Sequence, residues 1–268
     1  MLVKHIKPRL FPEHGNINNR KHVKLGIDPT SSRLHLGHLV PLLELKRMRD
    51  QSKDITVVLG GFTAILGDPT GVNKTRPILT RSQVQMNTAA IREQIHRVLG
   101  PVRVKDNADM AESFSAGALV SEAVSKFTLA EIMERDDFKN RPIGLHELIV
   151  PIFQAMDSIL LETDLEIGGE DQLLNFSLTR KLQERMGLEP EVCVLTQIIN
   201  GTNGKKMSKS SNNCIFLDET KSDIRRKVLN SPDESVDHWI GLMFESNNWP
   251  DHPKERKEVF TEEVFKII

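Results

Sequence analysis

The chain has 268 residues, enough to bury a substantial core as one large domain or as a domain with a small appendage. Its 36 Lys and Arg against 37 Asp and Glu leave a net charge of −1, which excludes a basic nucleic-acid-binding tail though not a local RNA-binding patch. Two cysteines, Cys193 and Cys214, exclude a disulfide framework and a cysteine metal site. The first residues, MLVKHIKPRLF, lack the apolar core of a leader, and no apolar run reaches the length of a membrane span, so the expectation is a cytoplasmic protein with no membrane partner. There is no tyrosine anywhere in the chain.

Residues 1–20 are basic and carry Pro and Asn, which predicts an N-terminal arm. A short strand is expected from Val23 to Asp28, then a Pro-Thr-Ser-Ser turn and a helix from about Leu36 to Asp50. Pro41 is tolerated in that helix only near its first turn, which argues for a start close to His35. ITVVLGG (55–61) reads as a buried parallel strand ending in glycines, GDPTG (67–71) as a turn and VNKTRP as a mobile basic loop.

Helical periodicity runs from about Arg81 to Arg135, is broken by RDDFKNRPIG and resumes over 145–161. LEIGG (165–169) is a further strand, followed by a helix from Asp171 to Met186 and a strong strand over 191–199. NGTNGKKMSKSSNN (200–213) is a polar loop, expected to be mobile, and 219–268 is a mostly helical tail broken at WPDHP. Strands alternating with helices predict an α/β fold with a parallel sheet.

His35 and His38 stand at i and i+3, a spacing that puts them on one helix face and could supply half of a metal site. No acidic or cysteine cluster completes such a site, so metal is the weak reading and two ordinary histidines the bland one. Gly37 between them leaves room for a flat ring against the backbone, and a helix N-terminus attracts anions. Lys206 and Lys209, with hydroxyls beside them in KMSKS, suit a polyphosphate leaving group. Neither GxxxxGK[ST] nor GxGxxG is present.

HLGH followed by KMSKS resembles the paired signatures of the class I aminoacyl-tRNA synthetases. With GIDPTSSRLHLGHLVPL, VLGGFTAILGDPTG, TLAEIMERDDFKNR, QAMDS and LEIGGEDQ the chain is similar to the tyrosyl-tRNA synthetase branch from about Val23 to Leu217. The resemblance implies a Rossmann-like catalytic domain over 21–218 with a helical insertion around 110–150, a short helical tail over 219–268, and ATP with Mg²⁺ held through its phosphates. It also implies a homodimer, with TLAEIMERDDF and the helix after it at the interface.

By the same resemblance His35, His38 and Thr30 would grip the phosphates, and Lys206, Lys209, Ser210 and Arg76 would close over the pyrophosphate. Asp171 would hold the ribose, with Gly26, Asp28, Gly37, Gly169 and Met207 also on the ATP side. Asp68 would take the α-ammonium group of the amino acid, and Lys24, Thr63, Val150, Gln154, Asp157 and Gln172 would complete the amino-acid pocket.

The family places tyrosines at the positions of Lys24 and Val150, and this chain has none. In a poorly solvated cleft Lys24 is expected to pair with Asp157, since either charge alone is costly to bury. A phenol-reading site rejects the analogue lacking its hydroxyl by about 10⁵-fold, the tyrosyl enzymes being the reference case, and the groups for that readout are changed here. The expected substrate is a smaller or more polar amino acid, an acidic one meeting Lys24 included. The alternative is that Lys24 swings to solvent and tyrosine binds through Asp157 alone. After KMSKS the remaining residues do not resemble an anticodon-reading domain, so the activated acyl group would go to a tRNA end or another acceptor. The competing readings are a truncated authentic tyrosyl-tRNA synthetase and a non-catalytic paralogue.

Overall fold

The computed structural model describes residues 5–66, 79–113, 115–134, 143–245 and 248–268. Six strands form one sheet: β1 (Arg9–Phe11), β2 (His22–Ile27), β3 (Asp54–Leu59), β4 (Arg103–Asp106), β5 (Leu165–Gly169) and β6 (Val192–Thr196). Their order is β1-β6-β5-β2-β3-β4, parallel throughout except for β1, which runs antiparallel to β6. The α/β parallel-sheet expectation therefore holds. Two strands depart from the sequence reading. β1 lies within the expected arm, and β4 lies within the expected helical run, because Gly100 with a φ of +71° and Pro101 end the preceding helix.

The chain leaves β2 toward β3 and β4 on one side and returns as β5 and β6 on the other. Such a reversal opens a crevice at the carboxyl ends of the central strands, here β2 and β5.

α1 (Leu36–Asp50) follows β2 and packs the row Leu36, Leu39, Leu42, Leu43 and Leu45 against the sheet. Pro41 sits in its second turn rather than its first, where it removes the N–H that would meet the Gly37 carbonyl. α2 (Gly61–Leu66) follows β3, and α3 (Arg81–Leu99) buries Ile91, Ile95, Val98 and Leu99 in the same core. Short helices α4 (Asn107–Ala111), α5 (Ala116–Glu122) and α6 (Leu129–Ile132) precede α7 (Leu145–Leu160), which covers the opposite face of the sheet near Lys24. α8 (Leu173–Arg185) starts after a 3₁₀ turn at Glu170–Gln172, slightly later than its expected start at Asp171.

The last helices, α9 (Lys221–Asn230), α10 (Asp233–Met243) and α11 (Pro253–Ile267), are not peripheral. Ile224, Trp239, Ile240, Phe260 and Val264 belong to the same buried cluster as the leucines of α1. Among the described residues no helix is long and apolar enough to cross a membrane.

Candidate active site

A cavity of about 330 Å³ opens at the reversal point. It is lined by His35, Gly37 and His38 from the start of α1, Asp28 and Thr30 from the turn before it, Gly169, Asp171 and Gln172 after β5, and Lys206 and Met207. Its other end is lined by Lys24, Thr63, Val150, Gln154 and Asp157, together with Asn107 and Glu166. The structure thus gathers most of the sequence-predicted residues around one space. Asp68 and Arg76 lie outside the described residues.

His35 is the N-cap of α1, with extended backbone. Its Nδ1 accepts the Gly37 N–H at 3.1 Å, and the Nδ1 of His38 accepts the His35 N–H at 3.1 Å. The two rings satisfy donors that a helix start otherwise leaves open. A neutral imidazole accepting at Nδ1 carries its proton on Nε2, so each ring keeps one N–H to donate elsewhere. Burial and the Lys209 charge push the His35 pKa down to about 3, and burial, His35 and Lys209 hold His38 well below 6.5. Both are neutral donors at physiological pH.

Gly37 has a more specific task than leaving room for a ligand. A Cβ there would stand 2.9 Å from His35 Cε1 and 3.1 Å from Ile199 Cγ2. The missing side chain lets His35 fold back over its own helix start.

The loop carrying KMSKS is tied down by Asn213, whose Oδ1 accepts the Ser208 N–H at 2.9 Å and whose Nδ2 donates to the Lys206 carbonyl at 3.0 Å. Met207 is buried, with its N–H on the Ile199 carbonyl at 2.9 Å. These contacts replace the expected mobile loop with an anchored one. Lys209 Nζ donates to Ser31 Oγ, and Lys206 Nζ stands 3.4 Å from Asp171 Oδ2. Leu36 N–H to the Ile215 carbonyl and Leu217 N–H to the Leu34 carbonyl, at 3.0 and 2.9 Å, fasten the segment after the loop beside the histidines. Ser210 is on this loop but not on the cavity wall, its Oγ 3.2 Å from that of Ser208.

The family model of the class I tRNA synthetases (W and Y) matches residues 16–265. The chain belongs to this family. It is 38% identical over 246 residues to the tyrosine–tRNA ligase of Thermotoga maritima, a match covering 89% of this chain and 60% of that protein. It is 37% identical over 254 residues to the Aquifex aeolicus tyrosine–tRNA ligase, covering 92% of this chain and 64% of that protein. The chain therefore spans under two thirds of the length of these relatives. Among solved structures, the tyrosyl-tRNA synthetase of Archaeoglobus fulgidus complexed with L-tyrosine superposes with a TM-score of 0.78 at 18% identity, over 99% of this chain and 95% of that one.

Against this family background the amino-acid end of the cavity departs from expectation. Lys24 does not pair with Asp157, and it does not reach solvent, being 1% exposed. In the parallel pairing of β2 and β5 it stands directly beside Glu166. Its Nζ lies 3.0 Å from Glu166 Oε1 and donates to Ser158 Oγ at 2.5 Å and the Gln154 carbonyl at 3.1 Å. Burial opposes the charge on Lys24, but Glu166, Glu191 and Asp157 outweigh it and hold the ammonium protonated. The physical reason for the correction is register: neighbouring strands bring Glu166 to Lys24 on the same sheet face, while Asp157 comes from a helix and faces Asn107, whose Nδ2 donates to it at 3.1 Å.

Asp157 is 6% exposed, and burial raises its pKa to about 7 despite the nearby Lys24 charge. Burial and then the Glu166 charge likewise hold Glu191 well above the carboxylate range. Glu166, Ser158, Asn107 and Glu191 escaped the sequence reading. The signal was present for one of them: Glu166 is an acid inside an apolar strand, as Lys24 is a base inside another.

Proposed function

We propose that the chain activates a non-tyrosine amino acid with ATP, forming an aminoacyl-adenylate. The observation that carries this reading is the meeting of two neutral histidine donors and Lys206 on the wall of one cavity, with Lys209 of the same distant loop held beside the histidines at Ser31. A carboxylate oxygen of the amino acid attacks the α-phosphorus, the bond from that phosphorus to the bridging oxygen breaks, and pyrophosphate leaves. His35 and His38 donate from Nε2 to phosphate oxygens, with Thr30 beside them. Lys206, Lys209 and Ser210 offset the charge of the departing pyrophosphate, a task that Arg76 shares. Catalysis is then positioning and electrostatic stabilisation, without a covalent enzyme intermediate.

Asp171 takes the ribose hydroxyls, and Gly26, Asp28, Gly37, Gly169 and Met207 shape the rest of the ATP site. Asp68 and Gln172 meet the α-ammonium end. Among the described residues no group of three or more His, Cys, Asp or Glu could hold a metal ion, so Mg²⁺ fits as a passenger on the nucleotide phosphates.

The non-tyrosine part rests on Lys24 and Val150, which occupy the two positions where the family's phenols contact the substrate. Val150 is buried and offers no hydrogen bond. The acyl group then passes to a tRNA end or another nucleophile. The exposed Leu129 and Leu145, in α6 and at the start of α7, suit a homodimer contact. The helices from 219 onward, sharing the core of the 21–218 unit, act as its buttress.

A second reading, a shortened tyrosyl-tRNA synthetase, is favoured by the identity of 38% to a tyrosine–tRNA ligase and by Thr63, Gln154, Asp157 and Gln172 lining the pocket. ATP–pyrophosphate exchange against each standard amino acid separates the two. Exchange with a non-aromatic amino acid and none with tyrosine is the expected result. Exchange with tyrosine, followed by charging of a tyrosine tRNA, establishes the second reading instead.

A further inference from the structure

The turn between β2 and α1 carries two side chains that the adenylation chemistry above does not use, Ser31 and Arg33. Each meets the segment that supplies the signature lysines. Ser31 Oγ accepts from the Lys209 ammonium. It also lies 3.4 Å from the Arg33 N–H and 3.3 Å from the Arg33 carbonyl. A hydroxyl has one proton and two lone pairs. Here the proton goes to the carbonyl and the lone pairs take the N–H and the ammonium, so the turn itself fixes which way the hydroxyl points. Lys209 meets an oriented acceptor, close enough to the histidines for its charge to act on both rings.

Arg33 grips the other end of the loop. Its Nε donates to both oxygens of Asp218, at 2.7 and 2.8 Å, and its Nη2 stands 2.6 Å from Oδ1. The guanidinium lies over the Phe216 ring, 4.0 Å from the centroid. Phe216 in turn bridges to the His35 backbone, and the two rings meet edge to face at 6.4 Å. Exposed ion pairs contribute little as a rule, because water screens them and two long side chains must be held still. This pair is 38% and 30% exposed, but its forked geometry and the ring under the planar group are the features that strengthen an arginine contact. Lys227 of α9 adds to the arrangement, donating to Glu219 Oε1 at 2.5 Å and to the Cys214 carbonyl at 3.0 Å.

One three-residue turn thus holds the loop at both ends, and the same turn follows Thr30 and leads into His35. We propose that Ser31 and Arg33 form a two-point dock for the signature loop and are positioning residues of the adenylation step. Ser31 seats the Lys209 ammonium where the charge of the departing pyrophosphate builds up, and Arg33 fixes the 216–218 segment beside His35. An ammonium seated in advance needs no reorganisation when that charge develops. The inference rests on the adenylation reading above and deepens it.

Amide hydrogen exchange on the whole chain, with no ligand added, tests the dock. Ser31→Ala is expected to speed exchange over 207–212, and Arg33→Gln over 215–219, each about tenfold, with α3 unchanged. Parent-like exchange in either variant overturns the two-point dock.

ATP–pyrophosphate exchange against each standard amino acid tests the positioning role. With an amino acid that the parent accepts, Ser31→Ala is expected to lose about tenfold in kcat while the KM for ATP changes less than threefold. Ser31→Thr, which keeps the hydroxyl, should regain the rate. A Ser31 that served stability alone would leave kcat untouched, so full kcat in Ser31→Ala, or a loss that Ser31→Thr does not recover, overturns the role. Arg33→Gln and Asp218→Asn should lower kcat alike and the double variant no further, since both break one contact. Additive losses overturn the Arg33 part, and this cycle still decides should Ser31→Ala not fold. A parent silent with every amino acid overturns the adenylation reading and the positioning role together, while amide exchange still decides the dock.

Discussion

The rings of His35 and His38 stand 4.0 Å apart, centroid to centroid, and each spends Nδ1 on a backbone N–H of the α1 start. Capping and the proposed phosphate contact are thus carried by opposite nitrogens of the same ring. Asparagine can reproduce the cap through its carbonyl while alanine cannot. His35→Ala is expected to lose about 1 kcal/mol of stability through the cap and about 10²–10³ in adenylation rate through the lost donor. His35→Asn should recover the stability. Urea unfolding and pyrophosphate exchange on the two variants check this.

The protonation of these rings has a definite sign. Their folded pKa values lie below the ordinary 6.5, so the stability they contribute is complete above about 6.5 and is lost as pH falls toward 3. The exchange rate should therefore show no titration from either histidine between pH 6 and 8. A rate profile with a histidine inflection near 6.5 that vanishes in His38→Asn would contradict the neutral-donor assignment.

Gly37→Ala tests whether the space over that glycine belongs to His35. The added methyl would stand 2.9 Å from the His35 ring and 3.1 Å from Ile199, both tighter than ordinary contact. Either the ring tilts off the Gly37 N–H or Ile199 moves. The expected outcome is a KM for ATP raised about tenfold, from loss of roughly 1.4 kcal/mol of binding, with the KM for the amino acid nearly unchanged.

Which parts were readable from sequence follows from what sets them. The α1 start was legible because HLGH and the turn before it are local signals, and the parallel strands because apolar runs ending in glycine need little context. β1 was not legible: RLF is three residues long and is a strand through its pairing with β6. β4 was hidden because RVKD alternates partly exposed side chains at the sheet edge and follows a helix without a polar loop. The Lys24 partner depended on strand register, which neither sequence alone declares. Asp157 lines the cavity, but the family pattern says nothing of how a lysine four residues before Asp28, inside β2, resolves its charge.

Asp157 gives a prediction in pH. It faces Lys24 on β2, Asn107 on α4, Glu166 on β5 and Asp106 at the end of β4, and burial lifts its pKa from 3.8 to about 7. A carboxyl raised on folding binds its proton more tightly in the folded state. Its contribution to stability is fully present below about 4 and is lost as pH rises through 7. Asp157→Asn removes that loss, so its melting temperature relative to the parent should climb between pH 4 and 7 and then level off. The same variant should lower kcat/KM for the amino acid by at least 10², since one carboxylate oxygen becomes an amide NH2 that cannot accept a hydrogen bond. Thermal melts at pH 5 and 8, paired with exchange assays, decide both parts.

Trp239 links the last helices to the signature loop. Its ring is fully buried, 5.7 Å from that of Phe260, and its Nε1 donates to the Asn200 carbonyl at 2.6 Å. Asn200 opens the loop and bridges to Lys206. Trp239→Ala should cost about 3–5 kcal/mol, the range for emptying a large aromatic site. Trp239→Phe separates packing from the hydrogen bond: the six-membered ring fills most of the volume, while the Asn200 carbonyl loses its donor at about 1–3 kcal/mol. If α10 merely fills the core, Trp239→Phe lowers stability and leaves the KM for ATP unchanged. If α10 holds the loop in place, as the bond to Asn200 indicates, the KM for ATP rises severalfold while the KM for the amino acid stays constant.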